Sequence, residues 1–198
     1  RLRLLQLSSA ALEEYGDGWR MADPSPKVDE VIAILEEMGD RPVAVAAHHR
    51  QLIDLLAARL DKEKISYGLF TGAQKDFERE LAKRDFQAGK LRVFAFTMAA
   101  GGTGITLTAA DTLIRMQRSW SMIDNKQTED RVHRIGSEIH ESIQIIDIVA
   151  RETVEEDQIL ALLEKSMRLE EIARDKAKLQ AAGLDTSHLD ILEATIMS

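Results

Sequence analysis

Gln127 to Gly136 reads QTEDRVHRIG and concentrates side chains suited to holding a phosphate. On a helix, Gln127, Arg131 and Arg134 share one face, with Asp130 beside them. Two guanidiniums so placed would grip a phosphate by forked hydrogen bonds, and the Gln127 amide would bond an oxygen or a water next to it. The same arginines would equally serve as surface partners of Glu129, Asp130 or Glu138. A second segment, AAGGTGITLTAAD from Ala99 to Asp111, places Gly101, Gly102 and Gly104 just after an apolar run. Glycines at the end of a parallel strand let backbone amides approach an anion closely, and Thr97, Thr103 and Thr106 would add hydroxyl donors. A turn that merely requires positive φ is the other use of such glycines.

Both segments need a sheet edge to stand on. After a Gly39-Asp40-Arg41-Pro42 turn, Val43 to Ala47 forms a short apolar run, the mark of a strand buried on both faces. Leu52, Ile53, Leu55, Leu56 and Leu60 follow at helical spacing. The alternation repeats through an apolar run at Ile65 to Phe70, a Thr71-Gly72 turn, an amphipathic helix near Gln74 to Gln87 and another run at Leu91 to Phe96. Further strands are predicted at Thr112 to Met116 and Ser142 to Val149, with a helix over Asn125 to Ile135 between them. The pattern specifies an α/β fold with a doubly wound parallel sheet and right-handed crossovers.

Ser25 followed by Pro26 makes a helix start upstream of the sheet. Downstream, Thr153 with Glu156 reads as a capping box for one long helix to about Ala182, ended by Gly183, with a short helix over Thr186 to Ile196. Phe70, Phe77, Phe86, Phe94 and Phe96 alternate with apolar neighbours and are expected in the core. Lys83, Arg84, Lys90 and Arg92 interleave with Glu78, Glu80 and Asp85, which predicts a solvated face. Trp120 is expected to pack between segments, with stacking on a base or sugar as its alternative. His48, His49, His133 and His140 lack the spacing of a metal site, and no metal is expected.

With 198 residues, 44% hydrophobic and 30% charged, no cysteine and 3 prolines, the chain suits a globular domain and excludes a disulfide framework. Neither a signal peptide nor a spanning stretch is evident, so an intracellular protein is expected. Net charge is −8, unevenly spread. Residues 1–40 carry 4 basic and 9 acidic groups, residues 41–148 carry 16 and 14, and residues 149–198 carry 6 and 11. Any phosphate backbone would therefore meet the near-neutral centre rather than the acidic flanks.

The glycine turn followed by Q-x-x-D-R-x-x-R-I-G resembles motifs V and VI of the C-terminal RecA-like lobe of superfamily 2 helicases. The closer likeness is to the Swi/Snf-type DNA translocases. Trp120 in the intervening loop, the Thr71-Gly72 turn after Phe70, Ser25-Pro26-Lys27 as the family's S-x-K start and Thr153 to Leu163 as its T-x-E-E-x-I-x-x-L helix follow in order. His48 lies where motif IV is expected. One departure is Ala99, where the family commonly carries an arginine, and the Ala-Ala form is similar to an annealing-helicase-like branch.

The resemblance implies Arg131 and Arg134 as arginine fingers and Gln127 as the group orienting the γ-phosphate or water. It places Gly102, Gly104 and Asp130 against the nucleotide, and Thr71, Gly72, Thr97, Gly101 and Thr103 against nucleic acid. Neither G-x-x-x-x-G-K-[ST] nor a D-E-x-H run occurs in the sequence. ATP and Mg²⁺ are accordingly expected only in a two-lobed protein whose N-terminal lobe carries the phosphate loop, and this chain alone is expected to be inactive. Residues 1–24 would be a helical lead-in from that lobe, 25–150 the RecA-like domain and 151–198 a helical extension. A monomer acting on double-stranded DNA is implied, in a bacterial or phage cytoplasm by preference or in a nucleus if the host is eukaryotic. A non-catalytic nucleic-acid-binding or interaction module is the alternative. A nucleotide-sugar transferase half is a third reading, against which the Q-x-x-D-R-x-x-R-I-G helix speaks.

Overall fold

Continuous apolar runs become central strands in the computed structural model, which describes residues 2–101, 105–132, 140 and 142–197. Five strands, β3 (Val43–Ala47), β4 (Tyr67–Phe70), β5 (Val93–Thr97), β6 (Thr112–Arg115) and β7 (Gln144–Asp147), form one parallel sheet in the order β4-β5-β3-β6-β7. Every residue of β3, β5 and β6 is buried, whereas the edge strands β4 and β7 are partly exposed. A strand covered on both faces has no use for alternation, which is why the central three read as unbroken hydrophobic segments.

Helices cover both faces. Val43, Val45 and Ala47 point into one cluster with Val28, Val31, Ile32 and Leu35 of α2 (Pro26–Met38) and Leu52, Ile53, Leu56 and Leu60 of α3 (Arg50–Lys62). Ala44 and Ala46 point into the other, built from Phe70, Phe94, Phe96 and Phe86 of α4 (Asp76–Gln87) with Ile105, Leu107 and Val132. Ser25 caps α2 through a hydrogen bond from the Val28 amide. Gly68 has no room for a side chain: a Cβ there would lie 2.9 Å from Leu91 and 3.0 Å from Ala82, so α4 packs directly on the β4 backbone.

Three expectations are corrected. The stretch 1–24 is helical only at α1 (Leu2–Leu7). Ala11–Tyr15 (β1) and Gly18–Ala22 (β2) instead form an antiparallel hairpin, closed by Gly16 at φ +58°. Leu12 and Met21, paired across it, pack on the core, while Glu13, Glu14, Trp19 and Arg20 toward the turn stay in solvent, so only the open end of the hairpin is buried. Phe77 is 75% exposed, because it sits on the first turn of α4, whose one buried residue is Phe86. The Thr153 hydroxyl accepts from the Glu155 amide, and the carboxylate turned inward is that of Glu155, not Glu156. Downstream, α7 (Val154–Ala181) leads through Gly183, at φ +72°, to α8 (Ser187–Met197).

Candidate nucleotide and nucleic-acid site

Register builds the site. Phe70, Phe96, Ala46, Arg115 and Asp147 line up across all five strands, so the residues that follow them emerge together at the carboxyl edge of the sheet. In open α/β sheets ligands bind along that edge, where strand order reverses, here at β3 with β5 on one side and β6 on the other.

Thr71 and Thr97 arrive at this edge, and both are buried. The Thr71 amide and hydroxyl donate to the Gln74 amide oxygen at 2.9 and 2.7 Å, and the hydroxyl accepts from the Ala73 amide. Its side chain is thus committed to the turn. Gly72 is exposed with open space around it, so its backbone can be approached by another molecule, as can the exposed Ala73 and Lys75 of the same loop. Thr97 ends β5 and passes into the single turn α5 (Met98–Gly101). Gly102, Thr103 and Gly104 lie outside the described residues.

After β6 the chain runs through Gln117 to Ser119 and half-buried Trp120 into α6 (Met122–Glu129). Buried Asn125 staples this loop: its amide donates to the Ser119 and Ser121 carbonyls and accepts from the Ser119 amide. The predicted helix over Asn125 to Ile135 begins earlier and ends at Glu129, with Asp130 as its C-cap. Beyond that cap, the Arg131 and Val132 amides make tight turns back to Thr128 and Glu129, and the Arg131 carbonyl accepts from the Leu107 amide at 2.8 Å. Val132 is wholly buried in the core, which draws the chain inward and stops the helix. Gln127 is exposed on α6, Asp130 pairs with Lys126 at 3.3 Å, and Arg131 is 8% exposed. Gln127 and Arg131 therefore do not share a helical face. Arg134, with His133 and Glu138, lies outside the described residues.

Two ion-pair clusters beneath this edge were not foreseen. Arg115, 3% exposed, meets Asp147 with two hydrogen bonds of 2.6 and 2.9 Å and Glu129 with a third of 2.6 Å. Burial by itself would drain charge from Arg115, but Asp147 and Glu129 outweigh it and hold the guanidinium charged. Burial would likewise raise the Asp147 pKa, yet hydrogen bonds from Arg118 and Arg115 pull it below the usual carboxylate range.

Lys27, 2% exposed, donates to the carbonyls of Met116 and Ile148 and to Glu155, whose carboxylate also accepts from the Ser8 hydroxyl and the Ala150 amide. Burial lowers the Lys27 pKa against the pull of Glu155 and Asp147. Gln117 accepts from the His49 amide and donates to Ser9, tying the end of β3 to the segment after α1. Lys27 and Glu155 both stand inside recognised sequence patterns, the S-x-K start and the T-x-E-E helix. Their pairing across 128 residues leaves no local trace.

Residues 26–136, more than half of the chain, match the family described as helicase conserved C-terminal domain. The chain is 32% identical over 147 residues to chromodomain-helicase-DNA-binding protein 1-like of Mus musculus, covering 73% of this chain and 16% of that protein. It is 32% identical over 140 residues to chromatin-remodeling ATPase INO80 of Homo sapiens, covering 70% and 9%. A third relative, SWI/SNF-related matrix-associated actin-dependent regulator of chromatin subfamily A-like protein 1 of Bos taurus, is 28% identical over 171 residues, 86% and 17%. The chain thus spans less than a fifth of each of these relatives. Among solved structures, the C-terminal part of the Fun30 ATPase domain shares the fold at a TM-score of 0.63 and 23% identity, over 69% of this chain and 45% of that one. The Pyrococcus furiosus Hef helicase domain does so at 0.56 and 23%, over 69% and 28%. The three sequence relatives are eukaryotic and two are named for chromatin, which gives the expectation of a bacterial or phage cytoplasm no support.

Proposed function

Because this chain belongs to the helicase conserved C-terminal domain family, as the C-terminal RecA-like lobe of a Swi/Snf-type superfamily 2 helicase, we propose that it is the second motor lobe of an ATP-dependent double-stranded DNA translocase. The observation that carries the reading is the 2.8 Å bond from the Leu107 amide to the Arg131 carbonyl. It joins the segment after the glycine turn to the arginine segment, so a shift in one is felt by the other.

Arg131 and Arg134 are the arginine fingers, and Gln127 orients the γ-phosphate or the attacking water from the exposed face of α6. Gly102, Gly104 and Asp130 border the nucleotide. Gly72, Gly101 and Thr103, with the backbone around Thr71 and Thr97, follow the DNA phosphates. Arg131 by itself suits an anion, because a nearly buried guanidinium has few rotamers to lose on meeting a phosphate. The chain does not supply a phosphate cradle or metal carboxylates, which an N-terminal lobe would bring. ATP contributes the γ-phosphoryl group and Mg²⁺ its neutralisation. The proposed division is 1–24 as lead-in, 25–150 as motor lobe and 151–198 as extension.

Arg131→Lys and Arg134→Lys in the intact two-lobed protein test this. A lysine offers one compact charge where a guanidinium meets two oxygens. Loss of a finger costs on the order of 10³ to 10⁵ in rate, about 4 to 7 kcal/mol. DNA-stimulated turnover should fall on that scale while ATP affinity and melting temperature stay near those of the parent. Turnover within a few-fold of the parent, or loss by unfolding alone, would make these arginines structural.

A further inference from the structure

Arg115 closes β6 at a position where the other sheet residues of its row are apolar or small, apart from Asp147 on the adjacent edge strand. A buried charge adds direction: it is tolerated only when its donors are met, and here three are, by Asp147 through a two-bond fork and by Glu129. Asp147 is held in turn by Arg118, whose carbonyl accepts from Gln158 of α7 at 3.0 Å. The fork therefore fixes Arg115 to the sheet, and its remaining arm reaches out to one residue, Glu129.

Glu129 is the last residue of α6, two positions before Arg131. The backbone across this point is pinned twice, at the Glu129 carboxylate by Arg115 and at the Arg131 carbonyl by Leu107. Between these anchors the Arg131 and Val132 amides close tight turns, so little freedom is left to the Cα of Arg131. We propose that Arg115, backed by Asp147 and acting through Glu129, is a positioning residue that sets Arg131 for nucleotide hydrolysis. This rests on the reading of Arg131 as a finger.

The test uses the intact two-lobed protein with Glu129→Ala, Glu129→Asp, Glu129→Gln, Arg131→Ala and the double variant Glu129→Ala/Arg131→Ala. DNA-stimulated kcat, KM for ATP and thermal melting are measured for each. Alanine removes the tether and aspartate shortens its reach by one methylene, whereas glutamine keeps an oxygen for Arg115. A displacement of about 1 Å in a catalytic group costs up to roughly 100-fold in rate. Glu129→Ala and Glu129→Asp should therefore lower kcat by about 10- to 100-fold with KM nearly unchanged and folding retained, and Glu129→Gln should recover most of the loss.

In the Arg131→Ala background, Glu129→Ala should have no further effect. Should the alanine variant not fold, the aspartate variant carries the same comparison. A parent-like kcat with lowered melting, or effects that multiply in the double variant, overturns the positioning role while leaving the finger intact. A parent-like Arg131→Ala overturns the finger reading, and the positioning role falls with it.

Discussion

Asp147 and Lys27 illustrate what a buried charge does in this lobe. Each is held by partners from distant elements, and removing one partner strands the other charge in the interior at a cost of about 3–5 kcal/mol. Asp147→Asn is therefore expected to destabilise the chain by about that amount at neutral pH. The folded pKa of Asp147 lies below its ordinary 3.8, so the folded state binds fewer protons than the unfolded state between the two values. The stabilisation is complete above pH 3.8 and is lost as pH falls through the folded pKa. Denaturant unfolding at pH 7 and again near pH 3 should show the gap between parent and variant narrowing in acid; a gap independent of pH would mean that the carboxylate charge contributes nothing. None of this was legible in the sequence. The arginine-rich segment announced itself by local spacing, whereas Arg115 meets Asp147 only after two strands have paired in register.

At the scale of elements, legibility followed burial. Strands covered on both faces read as apolar runs, and β3, β5 and β6 fall where such runs predict them. The hairpin β1–β2 escaped because just one pair, Leu12 and Met21, packs on the core, leaving charged and aromatic neighbours to dominate the composition. The sequence pattern carries α6 past Glu129 because the residues that follow are helix formers, while the burial of Val132 and the capture of Arg131 by Leu107 are tertiary events with no local signal. The correction at α4 is directly testable. Phe86→Ala should cost about 3–5 kcal/mol, since the ring is wholly buried against Phe94 at 5.3 Å between centroids. Phe77→Ser should lie within about 0.5 kcal/mol of the parent, the ordinary range for a surface change. Equal effects in thermal melts would put Phe77 back in the core.

At the scale of the whole molecule, the distribution of charge sets what this chain can do with a polyanion. The net charge of −8 leaves only the central segment, with 16 basic against 14 acidic groups, to face a polyanion, and several of its cations are engaged within the lobe. Lys83 pairs with Glu80, Lys90 with Asp85 and Arg115 with two carboxylates, so few phosphates can be neutralised. Counterion release makes log affinity fall by roughly 0.9 per neutralised phosphate for each decade of salt. The isolated 198-residue chain is thus expected to bind duplex DNA weakly and with a shallow salt slope, and to turn over no ATP with or without DNA. Fluorescence anisotropy across a salt series, beside a steady-state ATPase assay, measures both. Weak binding with a slope of a few units and no turnover fits a lobe that shares its DNA track and nucleotide with another. Tight binding at physiological salt with a steep slope would instead mean that this surface is a complete nucleic-acid site, and would favour the non-catalytic module.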